Sequence, residues 1–235
     1  IDGNYALTFD GSNDKVTYPN SSAIVGTDDF TISFWFKTDN TTSDNSYNAI
    51  LSQDGDTDMW MFGIEYGGME FQTVGTLRFV LNEGGVNSSQ NITLTSSNRI
   101  DDGVWHHAVG TRTKSTGVVA LYIDGSLYNT ATAGTGAFSS SRDILLGLNI
   151  ANSRPYDDGI DDIAIWNEAL TANEITALYN AGIPLTATSN SGNYTSSSNL
   201  KAYWRHNENT GSISHDISGN GNHGTINGAT SSTPG

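Results

Sequence analysis

Asp101–Gly125 reads DDGVWHHAVGTRTKSTGVVALYIDG, and this stretch decides the fold. It divides into a strand, a turn and a second strand. Val119, Leu121 and Ile123 alternate with Ala120, Tyr122 and Asp124, a period of two that turns one apolar row toward a core. Lys114–Gly117 supplies the turn chemistry between the two runs, and Asp124-Gly125 closes the second with a tight-turn dipeptide.

The same period recurs on both sides of this hairpin. Tyr5, Leu7 and Phe9 alternate with Ala6 and Thr8, and after an Asp/Gly/Ser/Asn turn Val16–Tyr18 resumes. Phe30, Ile32, Phe34 and Phe36 alternate with Thr31, Ser33, Trp35 and Lys37, which predicts a strand with a phenylalanine row in the core. Ile50–Ser52, Met59–Tyr66, Glu70–Thr73 and Leu77–Leu81 read as a meander, followed by short strands at Ile92–Thr95 and Ile144–Ile150. One helix is predicted, at about 171–181. Thr171 caps it, Glu174 reaches back to form a capping box, and Gly182 is placed for a left-handed stop.

Composition agrees with many short strands joined by polar turns. Apolar residues make up 36% and charged residues 15%, and the 26 glycines accompany abundant Ser, Thr and Asn, a mixture unsuited to helical packing. A net charge of −15 with 10 Lys and Arg argues against nucleic acid as a partner, because a phosphate backbone is bound by cations. No apolar run is long enough to insert in a membrane. The absence of cysteine excludes disulfides and thiolate metal sites. Ile1 opens the chain with neither Met nor signal peptide, so a piece of a larger multidomain protein is expected.

Three motifs together carry a resemblance. The D-G-x-W-H-H strand running into L-Y-x-D-G, the opening ALTFDGSNDKVTY at 6–18, and GIDDIAIWN at 159–167 resemble laminin-G-like domains of the concanavalin A-like lectin/glucanase fold, in their bacterial and bacteriophage branch. The resemblance implies a jelly-roll β-sandwich of two antiparallel sheets, formed as a single domain by residues 1–235. Residues 200–228 hold LKAYWRHNENTGSISHDISGNGNHGTING. In most relatives a similar A-Y-W and D-x-S-G-N-G-N-x-G-T segment comes first, whereas here it comes last. Either the domain is permuted, so that this segment completes the sandwich, or the chain is cut across a tandem array. Y-W-R in place of the usual Y-W-P resembles marine phage structural proteins.

Catalytic patterns are missing. The paired-carboxylate strand of laminarinase-type enzymes is not found, since Glu65 and Glu70 are five apart across Gly67-Gly68 and would face opposite ways on a continuous strand. Adjacent His106 and His107 also face opposite ways, which predicts one packed and one solvated ring. His206, His215 and His223 have no metal-ligand spacing, and there is no G-x-S-x-G elbow or G-x-G-x-x-G phosphate loop.

Carboxylates in loops are better candidates, because calcium takes about six to eight oxygens, backbone carbonyls included. Similar folds hold a structural calcium where early and late strands meet, which implies Asp10, Asp14, Asp161 and Asp162 as its ligands. Asp54, Asp56 and Asp58 form a D-x-D-x-D loop, and with Trp60, Tyr66 and Tyr156 they are the expected ligand-binding set, aromatic faces beside polar groups. The function expected is non-catalytic, lectin-like binding of a glycan or cell-surface receptor. The carrier would be a secreted adhesin, a polysaccharide-degrading protein or a phage structural protein, placed outside the cell, on its surface or on a virion. A ligand-free structural spacer and a glycoside hydrolase are the alternatives.

Overall fold

The computed structural model describes residues 5–19, 24, 25, 27–39, 47–55, 58–66, 73–84, 91–138, 140, 142–149, 151 and 153–233. Its strands form two antiparallel sheets. The first runs in the order β10 (Ser126–Thr132), β9 (Val118–Ile123), β8 (Trp105–Thr113), β3 (Phe30–Lys37), β12 (Asp157–Trp166), β1 (Ala6–Asp10) and β16 (Thr230–Ser232), with β13 (Leu200–Trp204) also paired to β12. The second runs β14 (Ile213–Ser214), β15 (Gly224–Asn227), β2 (Lys15–Tyr18), β11 (Ile144–Leu146), β4 (Tyr47–Asp54), β5 (Met59–Glu65), β6 (Leu77–Asn82) and β7 (Ile92–Thr95). This is the jelly-roll sandwich that the resemblance implies, built from strands that the alternating periodicity predicts.

Between the sheets lies one continuous apolar core that includes the whole phenylalanine row of β3. Phe34 meets Phe62 edge-on at 4.9 Å, and Phe62 stacks on Phe79 at 4.4 Å. Gly110 of β8 faces these rings. A Cβ there would lie 2.6 Å from Phe62 and 2.7 Å from Phe79, so a side chain at 110 would push the sheets apart. The other face of β3 is buried as well, at Thr31, Ser33 and Trp35. A second apolar cluster explains it: Val109, Ala164, Trp166 and Tyr203 of the first sheet pack against Ile175 and Leu178 of a helix laid across the back.

That helix, α1, spans Ala172–Tyr179. Thr171 caps it and Glu174 completes the predicted box. The stop comes before Gly182. Asn180 and Ala181 already adopt left-handed φ of 44° and 54°, and Gly182 follows at 93°. Strands β10, β14, β15 and β16 have no counterpart in the sequence reading. Nearly every β10 residue is exposed or half-exposed, so no buried row marks it. Of the predicted strand Glu70–Thr73, residues 70–72 lie outside the described residues.

Residues 200–232 contribute to both sheets. β13 pairs with β12, β15 with β2 and β16 with β1. Trp204 stacks on Tyr18 at 3.9 Å inside the core and donates its indole N–H to the Asn222 carbonyl at 2.8 Å. Deleting everything after Asn199 therefore unpairs β12, β2 and β1 together and opens the core. The truncated chain is expected to aggregate or to lose its cooperative melt; a soluble product with unchanged Tm would contradict this placement.

Glu174 supplies a second test. Its carboxylate, 5% exposed, accepts hydrogen bonds from Thr171, Thr195 and Ser196. Burial works against its charge, but these bonds, led by Ser196, outweigh burial and lower its pKa from 4.5 to about 2. A depressed carboxylate stabilises the fold fully above its unfolded value. That contribution is lost as pH falls from about 4.5 toward about 2. Glu174→Gln is expected to cost about 1 kcal/mol near neutral pH and to flatten the acid limb of the Tm–pH curve. An acid limb identical to wild type would show that the cap carries no such linkage.

Candidate ligand site

The site is built outward from an irregularity in β12. Opposite β3, the register slips between Asp161 and Ala164, and Asp162 adopts a left-handed φ of 47°. This bulge gives two adjacent carboxylates separate surroundings. Asp161 is fully buried, 3.8 Å from His206 Nδ1. His206 Nε2 lies 3.0 Å from the Tyr18 hydroxyl, which in turn lies 3.4 Å from Ser214 Oγ. Burial pushes the His206 pKa down to about 3, which favours the neutral ring. Asp162 instead accepts the Tyr203 hydroxyl at 2.5 Å and holds Arg205 Nε at 3.5 Å. The end of β13 and the residues after it are thereby fixed to the bulge.

Beyond His206 the chain runs through a polar loop to β15, organised by Asp216. This buried carboxylate accepts the backbone N–H groups of Tyr203, Ser218 and Asn222 at 3.0, 2.8 and 2.8 Å. The Asp216 N–H in turn donates to His223 Nδ1 at 3.0 Å. Asn220 and Asn222 donate their amides to the Lys201 carbonyl at 3.1 and 2.8 Å, while Gly219 and Gly221 take the left-handed turns between them, at φ 91° and 78°. The D-x-S-G-N-G-N spacing is therefore a self-bracing loop. Each residue type answers to a hydrogen bond or a backbone angle.

The braced loop and the end of β13 enclose a surface cavity of about 300 Å³, lined by Arg205, Asn207, Glu208, His215 and Ile217. Glu208 fixes the far wall by accepting the His215 N–H at 2.8 Å, and Asn207 accepts the Tyr5 N–H at 3.2 Å. Ile217 is 45% exposed, an apolar face beside polar groups. An acid, an amide, a guanidinium, an imidazole and an aliphatic face on a rigid frame are suited to a ligand with many hydroxyls and apolar C–H faces. Sequence reasoning overlooked these residues. The available signals were two isoleucines in a Gly/Ser/Asn/His loop and the arginine of Y-W-R.

The residues singled out from sequence lie elsewhere. Trp60, Tyr66 and Tyr156 are 0–1% exposed and cannot present a face to a ligand. They belong to the inter-sheet core, with their polar atoms bonded to Gln53, Thr38 and the Lys37 carbonyl. Asp58 is buried and accepts the Gly84 N–H at 2.8 Å; Asp54 ends β4 opposite Met59, and Asp56 lies outside the described residues. Early and late strands are neighbours, but their register sets Asp10 against Asp157. Asp161 is four residues further along β12, roughly 13 Å away. Asp14 stays with Asp10, accepting its N–H at 3.0 Å, while Asp161 and Asp162 hold β13. Calcium therefore does not fit these four as one site. Among the described residues, no three His, Asp or Glu side chains are grouped to hold a metal.

Of the two histidines of the central hairpin, His107 is packed and His106 is half-buried. His107 is 2% exposed, bonded to Ser33 Oγ at 2.7 Å, and burial lowers its pKa to about 4. His106 bridges Asp124 at 2.8 Å and Asp102 at 3.2 Å. Burial opposes its charge, but Asp124 and then Asp102 outweigh burial and raise its pKa. Glu65 is buried against Arg78 at 2.6 Å, and Glu70 lies outside the described residues.

Comparison with known proteins agrees with this architecture. The family described as the concanavalin A-like lectin/glucanases superfamily, of laminin G type, matches over residues 10–176. None of the curated proteins matches the sequence. A candidate carbohydrate-binding protein from Bacteroides ovatus superposes with a TM-score of 0.73 at 18% identity, covering 99% of this chain and 60% of that one. This chain thus spans less than two thirds of that protein's length. The binding domain of botulinum neurotoxin DC in complex with SialylT gives 0.54 at 22% identity, covering 71% of this chain and 39% of that one. Domains LG4-5 of the mouse laminin α1 chain give 0.53 at 15%, covering 73% and 45%. At these identities the likeness is one of fold. The two-sheet jelly roll, the W-H-H hairpin and the match over residues 10–176 make the chain a laminin-G-like member of the concanavalin A-like lectin/glucanases superfamily.

Proposed function

We propose that this domain is a non-catalytic recognition module that binds a glycan in the cavity walled by Arg205, Asn207, Glu208, His215 and Ile217. The observation that carries this reading is the cavity itself, about 300 Å³ of concave surface with convergent polar groups, held by a loop whose backbone is braced by Asp216. Preorganised polar groups lose little entropy on binding, which suits a ligand whose affinity rests on hydroxyl hydrogen bonds. A solved relative in fold is a toxin binding domain in complex with SialylT, and another is a candidate carbohydrate-binding protein. Both support the reading by analogy. The module would act outside the cell, on an adhesin, a polysaccharide-degrading protein or a phage structural protein.

Hydrolysis is the weaker reading. Retaining cleavage needs two carboxyl groups about 5.5 Å apart across the scissile bond, and among the described residues Glu208 is the one carboxylate of the lining. A glycan array followed by calorimetric titration tests the proposal. Asn207→Ala and Glu208→Gln are each expected to weaken binding about tenfold, the loss of one hydrogen bond to a charged or oriented group, with the cooperative melt retained. Laminarin, agar and alginate should release no reducing ends. Binding unaffected by either substitution would place the site elsewhere, and reducing ends lost with Glu208→Gln would make the domain an enzyme.

A further inference from the structure

Resting on that reading, we infer that the cavity selects uncharged sugars and rejects carboxylated or sulfated ones. Two observations on the wall, and one beneath it, carry this. Among the described residues Arg205 is its one Lys or Arg, and the guanidinium is held by Asp162 at 3.5 Å with the side chain 23% exposed. Its charge is already balanced by a carboxylate that the β12 bulge fixes in place. Glu208 stands in the same wall and accepts hydrogen bonds only, so it is matched by a donor. Sugar hydroxyls donate; carboxylate and sulfate groups do not. Asp216, directly under the loop, adds another negative charge.

The wider field points the same way. The chain carries a net charge of −15, so an anionic polymer is repelled during approach as well as in the cavity. Ile217 lends an aliphatic face that suits the C–H side of a pyranose ring and offers nothing to a charged substituent. The ligand class is therefore a neutral hexose or pentose glycan, bound with Glu208 as hydroxyl acceptor and Asn207 as donor.

The test titrates the full chain with neutral laminarin, galactan and mannan oligosaccharides. Alginate, polygalacturonate and carrageenan oligosaccharides of similar length form the acidic set, and both sets are run at about 20 mM and about 500 mM salt. A neutral probe is expected to bind with a Kd that salt does not move, and every acidic probe about tenfold more weakly or worse at the lower salt. Glu208→Gln, on the exposed loop, should narrow that gap by weakening the neutral probe and strengthening the acidic ones. Asp162→Asn keeps an acceptor for Tyr203 and tolerates the left-handed backbone, so it should strengthen acidic binding alone. An acidic probe that binds as tightly as any neutral one, with affinity falling in salt, would overturn the selectivity and leave a glycan site standing. Failure of all probes on wild type would overturn both readings.

Discussion

Strand β12 shares one of its edges between two strands from distant parts of the chain. β3 pairs along its other edge, from Gly159 to Trp166. On the shared edge β1 covers Asp157–Ile160 and β13 covers Ile163–Trp166. Backbone groups in a buried sheet must find partners, so the handover has to occur without leaving a gap, and it occurs at Asp161-Asp162. The bulge there turns the two carboxylates to different tasks. Asp162 fastens β13 through Tyr203, and Asp161 meets the buried His206 just beyond it. Residues 200–232 are thereby committed to the sandwich, with Trp204 closing the core over Tyr18.

The site follows from the same constraint. Because β13 is fixed at the bulge, Arg205 leaves it in a set direction, and the loop that returns to β15 is held from below by Asp216. A segment rich in Gly, Ser and Asn would ordinarily carry high conformational entropy. Here three backbone N–H groups converge on one carboxylate and the asparagine amides on one carbonyl, so the cavity wall is ordered before any ligand arrives. The acidic surroundings that favour an uncharged ligand arise partly from groups whose primary work is structural, Asp162 and Asp216.

Strand periodicity in β3, β8, β9 and β12 made the fold legible, as did the Thr171–Glu174 capping box, because each pattern reports which residues face a core. The site was far less legible. Trp60, Tyr66 and Tyr156 have the composition of a sugar platform, but aromatic residues stabilise a core as readily as they bind a ligand, and only packing tells which. The aspartates at 10 and 161 were expected to converge because their strands are neighbours; the register, set by pairings that no motif encodes, puts Asp157 opposite Asp10 instead. Arg205, Asn207, Glu208, His215 and Ile217 come from a thirteen-residue stretch. Their meeting depends on a loop brace whose D-x-S-G-N-G-N motif is visible in sequence but whose geometry is not.

The most direct measurement is an amide chemical-shift titration of the uniformly labelled chain with a neutral oligosaccharide that the domain retains. Saturable shifts are predicted at Arg205, Asn207, Glu208, His215 and Ile217, with the rest of the two sheets unmoved. Shifts concentrated on the outer face of β4, β5 and β6, with the 205–217 amides silent, would contradict the assignment of the site.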